Sequence, residues 1–187
     1  MYYPTSHPWT ENETLGEHLE RRGVSRRQFL KYCGELAVMM GVSQAFAPQI
    51  ARALQDQRRP SVIWLQLQEC TGCVESVLRT ADPTIGDLVL DLVSLDYQHT
   101  LMAGAGEAVE EAKRAAMEEN RGSYLLLVTG SIPTEEDGIY LTVGGRTGQD
   151  ILTEAADGAA AVIAIGACAH FGSVQAARPN PTGAVGV

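Results

Sequence analysis

The 187-residue sequence is poor in cysteine, in basic side chains and in long apolar runs, and each shortage excludes a class of protein. Its four cysteines are too few for a small scaffold stapled by disulfides. The net charge of −9 argues against a nucleic-acid-binding surface, which needs clustered lysine and arginine. No uncharged apolar run reaches the roughly 18 residues of a membrane-spanning helix.

What remains is typical of a folded protein, with 45% hydrophobic and 20% charged residues. The length suffices for one domain with a substantial core and an additional segment. Internal repeats and low-complexity tracts are absent from the sequence.

Residues 1–53 have the pattern of a twin-arginine signal peptide. The run 25–31 (SRRQFLK) supplies the paired Arg26 and Arg27, and a moderately apolar stretch follows over 32–47. The small-x-small triplet 51–53 then predicts cleavage after Ala53. We therefore expect export in the folded state. The alternative is an amphipathic helix with a chance arginine pair.

The rest of the chain alternates apolar, strand-like runs with helical patterns, which is typical of an α/β fold. Near-continuous apolar strands indicate a parallel sheet covered on both faces, and right-handed crossovers make it a three-layer, doubly wound domain. Strands are predicted over 62–67, 87–95, 124–128, the short 139–143 and the buried 160–165, and helices over 74–79, 106–120 and 147–156.

Cysteines follow two of these strands. Cys70 and Cys73 come after the first strand and Cys168 after the last, so the fold places all three at the carboxyl edge of the sheet. Gly72 is expected to supply a left-handed turn between the first two. Three thiols at one edge suit a metal centre better than a redox dithiol.

The identity of that centre stays open on spacing alone. A [4Fe–4S] cluster takes four thiolates, and only three remain because Cys33 lies in the predicted signal peptide. Zinc also takes four ligands, and His170 is a candidate for the fourth. A disulfide or plain buried thiols are further alternatives.

Six motifs, in order and spread over the chain, resemble the small subunit of nickel–iron hydrogenases. They are 69–76 (ECTGCVES), 94–103 (SLDYQHTLMA), 130–134 (GSIPT), 144–147 (GGRT), 166–169 (GACA) and 176–186 (AARPNPTGAVG). The resemblance implies a flavodoxin-like domain over 54–187 that binds the proximal [4Fe–4S] cluster through Cys70, Cys73 and Cys168. It also implies a fourth ligand beyond Val187 and a missing carboxyl-terminal domain with further clusters, so the chain looks truncated.

Other residues near these motifs receive roles as expectations. Glu69 is placed to face a large subunit, or else is a solvent carboxylate. His99 is expected to pack, with a hydrogen-bonding role at an interface as the alternative, and His170 is expected to lie behind the ligands. Amides of the turn 71–74, which includes Thr71 and Gly72, and amides around Ala169 are candidate donors to cluster sulfurs. Arg146 either holds its loop or raises the cluster potential.

The sequence departs from the family pattern at two places. Many members carry an acid where Thr129 stands, so a proton route through that acid would differ here. Oxygen-tolerant members carry extra cysteines at positions that correspond to Gly72 and Ser173, so a specialised oxygen-resistant cluster is not expected.

The resemblance implies an electron-transferring hydrogenase subunit with no catalytic residue of its own. Its partners would be the large subunit with the nickel–iron site, the twin-arginine translocase, and a membrane cytochrome or other acceptor, but no nucleic acid. Its location would be periplasmic and membrane-associated. The alternatives are an exported iron–sulfur carrier, a quinone-reductase-type subunit without hydrogenase activity, and a zinc-stabilised binding domain.

Overall fold

The computed structural model describes residue 10 and residues 13–39, 43–55 and 59–187. Residues 40–42, within the predicted apolar stretch, and residues 56–58 lie outside the described part. The chain divides into two compact units, residues 1–60 with 90–92, and residues 61–89 with 93–187. No helix in the described part is long and apolar enough to cross a membrane.

The amino-terminal unit is helical. Its elements are α1 (Leu15–Arg21), α2 (Arg26–Met39), a 3-10 turn (Gln44–Phe46) and α3 (Ala47–Gln55). Thr14 and Glu17 form a reciprocal cap that starts α1. Ser25 and Gln28 bond each other's backbone amides just before α2 in the same way. Phe29, Cys33 and Ala51 form a small buried core.

The predicted export features fall on these helices. The segment with Arg26 and Arg27 opens α2, where both side chains are exposed. The predicted cleavage triplet lies within α3, and its first residue, Ala51, is only 4% exposed. A peptidase binds its substrate in an extended form, so cleavage after Ala53 would require α3 to unwind.

The second unit is a parallel α/β sandwich. Its strands are β1 (Ser61–Gln66), β2 (Ser94–Gln98), β3 (Leu125–Thr129), the paired β4 (Thr142–Val143) and β5 (Arg146–Thr147), and β6 (Ala161–Ile165). Its helices are α4 (Gly72–Leu78), α5 (Glu107–Glu119), α6 (Gly148–Asp157) and α7 (Gly166–Phe171). A π-helical segment (Asp87–Leu92) has residues 87–89 in this unit and 90–92 in the first. A 3-10 turn spans Glu135–Gly138.

The main sheet has the order β2-β1-β3-β6 with all pairs parallel. This order starts as the flavodoxin-like order does. Gln66 of β1 is in register with Thr129 of β3, which is in register with Ile165 of β6. Three strands therefore end at one level, and the segments that follow them start from one edge.

The sequence predicted most of these elements, and the parallel α/β fold is confirmed. Two predictions were wrong. Residues 87–92 are π-helical, and the strand starts only at Ser94. β6 is not buried: Val162 and Ile163, which point to opposite faces, are 43% and 41% exposed. β6 pairs only with β3 among the described residues, whereas β1 and β3 pair on both sides and carry the core.

Candidate functional site

The loop after β1 carries the first two cysteines. Cys70 is exposed and Cys73 is half-buried in the first turn of α4. The left-handed residue between them is Thr71, with φ of 67°, and not Gly72, so that prediction was wrong. A Cβ on Gly72 would lie 3.3 Å from the Sγ of Cys70, so what Gly72 supplies is room for that thiol.

Cys168 reaches the same edge from the far end of the sheet. It lies in the short helix α7, which starts directly after β6, and it is 8% exposed. Gly166 makes the turn from strand to helix with φ of +83°. A Cβ on Gly166 would come within 2.1 Å of the Sγ of Cys73, so this turn lies directly against the second thiol. The sequence analysis used Gly166 only as part of the 166–169 motif after the last strand and gave it no role beside the thiols.

The Cys73 thiol has three titratable groups as neighbours, the carboxylate of Glu69 and the other two cysteines. Burial is the main cause that raises the pKa of the Cys73 thiol, and the charges of Glu69, Cys168 and Cys70 raise it further. An unpaired Cys73 thiol stays protonated at neutral pH, and a positively charged iron centre would reverse that preference.

Glu69 is fixed beside the cysteines. Its Oε1 accepts a hydrogen bond from Gln66 Nε2 at 2.7 Å, while its Oε2 is buried and has no hydrogen-bond partner among the residues that the structure describes. Gln66 is held in turn by Gln98, whose Nε2 donates to Gln66 Oε1 at 2.9 Å. The reading of Glu69 as a free solvent carboxylate was therefore wrong.

The structure does not bring every predicted site residue to the cysteines. His170 is exposed on α7, with its ring edge-on to Phe171. Arg146 forms an ion pair with Glu154, and it is not among the groups whose charge acts on Cys73. Within the described residues, no three His, Cys, Asp or Glu side chains are grouped closely enough to hold one metal ion.

Thr129, at the position of the family acid, is fully buried. Its hydroxyl accepts a hydrogen bond from Trp64 Nε1 at 3.2 Å and lies 3.4 Å from the carbonyl of Leu65. Ser173, the other position of departure, has a left-handed backbone with φ of 46°.

A polar network that sequence reasoning missed starts at the end of β1. The amide of Gln66 donates to His99 Nδ1 at 3.4 Å, so a neutral His99 carries its proton on Nε2 and can donate to the Tyr97 hydroxyl 3.2 Å away. Tyr97 donates to Glu110 at 2.8 Å, and Glu110 also binds the buried Lys113. His99 was expected mainly to pack; its ring does pack edge-on to Tyr97, but it also accepts a hydrogen bond from the end of β1, the strand that precedes the cysteine loop.

The network borders an open cavity of about 750 Å³ between the start of α5 and the β4–β5 hairpin, with Met102, Val109, Val143, Arg114 and Arg146 on its walls.

Burial alone would raise the pKa of Glu110, but hydrogen bonds from Lys113 and Tyr97 lower it below the ordinary range. Burial and the nearby Lys113 charge lower the pKa of His99. The polar side chains are therefore arranged with Glu110 ionised and His99 neutral.

Comparison with known proteins agrees with the resemblance. The family model described as NADH ubiquinone oxidoreductase, 20 Kd subunit, matches residues 70–187. The chain is 53% identical over 175 residues to the periplasmic [NiFe] hydrogenase small subunit 1 of Nitratidesulfovibrio vulgaris, covering 94% of this chain and 55% of the relative. It is 48% identical over 167 residues to the hydrogenase-2 small chain of Escherichia coli K12, covering 89% of this chain and 45% of the relative.

Among solved structures, a chain of the [NiFeSe] hydrogenase of Desulfovibrio vulgaris Hildenborough superposes with a TM-score of 0.68 and 40% identity, over 70% of this chain and 48% of that chain. The chain thus spans about half the length of the curated relatives that it matches. It belongs to the NADH ubiquinone oxidoreductase, 20 Kd subunit family, and the predicted resemblance to the small subunits of nickel–iron hydrogenases is confirmed.

Proposed function

We propose that this chain is the amino-terminal part of the electron-transferring small subunit of a nickel–iron hydrogenase, with Cys70, Cys73 and Cys168 as ligands of a proximal [4Fe–4S] cluster. The observation that carries the proposal is the arrival of three thiols from two widely separated segments at one edge of the sheet, where Gly166, two residues before Cys168, lies directly against the Cys73 thiol. The fourth ligand would come from beyond Val187.

The donor set fits such a group. Each iron of a [4Fe–4S] cluster takes its own thiolate, so the ligands surround a body instead of converging on a point. The absence of a convergent ligand group among the described residues is compatible with that arrangement and does not favour a single zinc ion. Gly166 has no Cβ against the Cys73 thiol, and Gly72 has none against the Cys70 thiol. Both thiols therefore have free space on these sides.

When bound, the cluster would accept and release one electron at a time. The chain's own residues hold the thiols in place, limit water around the buried Cys168, and keep the carboxylate of Glu69 beside Cys73. A fixed negative charge at this position favours the oxidised, less negative state of a neighbouring redox group. The large subunit would split H2 at its nickel–iron site, and a membrane cytochrome or other acceptor would take the electrons.

Anaerobic reconstitution with iron and sulfide tests the cluster assignment. We expect the chain to turn brown and to give an iron–sulfur electron paramagnetic resonance (EPR) signal on reduction. Cys70→Ser, Cys73→Ser and Cys168→Ser should each lower the iron and sulfide bound per chain. Cys33→Ser is the matched control, because Cys33 lies in the core of the amino-terminal unit. Uptake of zinc in preference to iron and sulfide would contradict the proposal.

A quinone-reductase-type subunit without hydrogenase activity is the second candidate, because the matching family model bears the description of an NADH ubiquinone oxidoreductase subunit. Co-purification separates the two. A complex that contains nickel and reduces a dye with H2 supports the hydrogenase, and a nickel-free complex that reduces quinone supports the alternative.

We also propose that the amino-terminal unit directs export of the folded chain to the periplasm by the twin-arginine translocase. In the periplasm the subunit would associate with the membrane. The exposure of Arg26 and Arg27 at the start of α2 supports this proposal. Replacing both with lysine keeps the charge and should leave the protein in the cytoplasm with its signal uncleaved. Unchanged export of the double variant would contradict it.

A further inference from the structure

The residue two positions before Cys70 is the meeting point of three segments. The amide of Gln68 donates to the carbonyl of Ser131 at 3.1 Å, and the amide of Ser131 donates back to the carbonyl of Gln68 at 2.9 Å. Gly130 permits this approach, because a Cβ there would lie 2.7 Å from the carbonyl carbon of Leu67. The segment before Cys70 is thereby paired to the segment after β3.

The third segment contacts Gln68 through the side chain of Gln175. Gln175 Nε2 donates to the carbonyl of Gln68 at 3.0 Å, from 107 residues further along the chain. Since the Ser131 hydroxyl makes its shorter contact with Gln68 Oε1, at 3.0 Å, the two lone pairs of the Gln68 carbonyl go to the amide of Ser131 and to Gln175.

Gln175 is itself tied to the third cysteine. The amide of Gly172 donates to the carbonyl of Cys168 at 2.9 Å, and the amide of Ala176 donates to the carbonyl of Gly172 at 3.2 Å. Gln175 lies in the turn that these bonds close. Two backbone hydrogen bonds therefore connect Cys168 through Gly172 to Ala176, the covalent neighbour of Gln175. The Gln175 side chain then bonds Gln68, which lies two residues before Cys70.

Packing alone does not explain the side-chain amide of Gln175. Its Oε1 is buried and has no hydrogen-bond partner in the described structure, so only the Nε2 end is used. A buried acceptor without a partner is unfavourable, and an apolar side chain of the same length would avoid it. The hydrogen bond that Nε2 donates must therefore stabilise the fold by more than the unpaired Oε1 destabilises it.

We propose that Gln175 is a positioning residue for the candidate cluster site, clamping the segment before Cys70 to the segment after Cys168. The clamp fixes the separation of two ligands that follow different strands, Cys70 after β1 and Cys168 after β6. This inference rests on the proposed function, because the cluster is what the clamped thiols would hold.

Two substitutions separate the effect of the Nε2 donor of Gln175 from the effect of the shape of its side chain. Gln175→Glu keeps the outline and removes the donor, and Gln175→Met removes both polar ends. The same changes at Gln149 are the matched controls, since its side-chain amide lies against Gly138 and away from the cysteine segments. The chain is reconstituted with iron and sulfide, and two quantities are measured: the rate of iron release to a chelator, and the EPR spectrum of the reduced chain.

We expect both Gln175 variants to release iron about two- to tenfold faster than the wild type, as the loss of one hydrogen bond predicts, and to show an altered EPR line shape. The Gln149 variants should match the wild type. Wild-type release rates and spectra in both Gln175 variants would overturn the inference and leave the proposed function standing. So would unchanged spectra with a lower unfolding temperature of the metal-free chain, which indicates a merely structural role. A wild-type chain that takes up no cluster overturns both.

Discussion

The Sγ of Cys73 faces Gly166 so closely that a Cβ built on the glycine would lie 2.1 Å from the sulfur. No real pair of atoms tolerates that distance without movement of the backbone or the thiol. The contact joins the first turn of α4 to the start of α7, and so couples the position of Cys73 to the segment that carries Cys168.

Gly166→Ala should displace the Cys73 thiol and lower the iron bound after reconstitution. Part of the loss of stability would occur at any glycine with a left-handed backbone, because φ of +83° costs a residue with a Cβ about 1–2 kcal/mol. Gly122→Ala is the control for that part, since Gly122 has φ of +80° and no described residue has an atom within 4 Å of a new Cβ there. Iron content and thermal unfolding are measured for both. Equal iron content in the two variants would show that the contact with Cys73 does not matter.

The meeting of Cys70 and Cys168 at one edge was predictable from the sequence for a simple reason. Apolar strands alternating with helices imply a parallel sheet, and a parallel sheet places all its carboxyl ends on one side. The register of Gln66, Thr129 and Ile165 confirms that reasoning. It needs only local patterns, which a single sequence contains.

The details of the site were not predictable, because they depend on contacts between distant segments. Nothing in the run around Gln175 indicates that its amide reaches Gln68. The left-handed residue of the cysteine loop is Thr71 although a glycine follows it, which local backbone preference does not predict. The alternation of Leu88 and its neighbours resembles a strand, yet it forms a π-helical segment.

Lys113 and Glu110 form a largely buried ion pair, with 2% and 23% of their side chains exposed. The Lys113 ammonium also lies 4.8 Å from the centre of the Tyr97 ring. Lys113→Met should lower the free energy of unfolding by about 3 kcal/mol, the lower end of the range for breaking a buried pair, because Glu110 is partly exposed. Urea denaturation measures the loss.

A double variant tests the cause. Lys113→Met with Glu110→Gln removes the charge that the single variant leaves without its cation, and glutamine still accepts from Tyr97. The double variant should therefore be more stable than Lys113→Met alone. A double variant that is less stable than the single one would show that the lysine acts through packing and not through its charge.

His99 should make the stability of the α/β unit depend on pH. Burial and Lys113 lower its pKa from the ordinary 6.5, so the unfolded chain binds more protons than the folded chain between the lowered pKa and 6.5. The free energy of unfolding therefore rises with pH across that window. The contribution is present above 6.5 and is lost as the pH falls toward the lowered pKa.

His99→Gln should flatten this dependence, because glutamine does not titrate but still offers an acceptor to the amide of Gln66. The urea midpoint is followed from about pH 5 to 8, the range in which histidine titrates. His170→Gln is the control, since its ring is exposed on α7. The same slope in His99→Gln and wild type would assign the pH dependence to other groups.

Glu13 should govern the acid stability of the amino-terminal helices. Its carboxylate accepts hydrogen bonds from Arg21 Nε and Nη2 at 2.8 and 2.7 Å, which lower its pKa to about 2 despite the opposing effect of burial. The stabilisation is therefore present above the ordinary value of 4.5 and is lost as the pH falls from 4.5 toward about 2. Glu13→Gln should remove it at neutral pH as well.

Hydrogen exchange of the full chain measures this effect, with amide rates in α1 corrected for the intrinsic pH dependence. Exchange in Glu13→Gln should be faster than in the wild type at neutral pH, and the two should converge at low pH, where the wild-type carboxyl is protonated. Glu35→Gln is the matched control: Glu35 faces Lys31 at 3.8 Å with 55% of its side chain exposed, and an exposed pair contributes little. Equal protection of α1 in Glu13→Gln and wild type at neutral pH would show that the Arg21 contact does not hold these helices together.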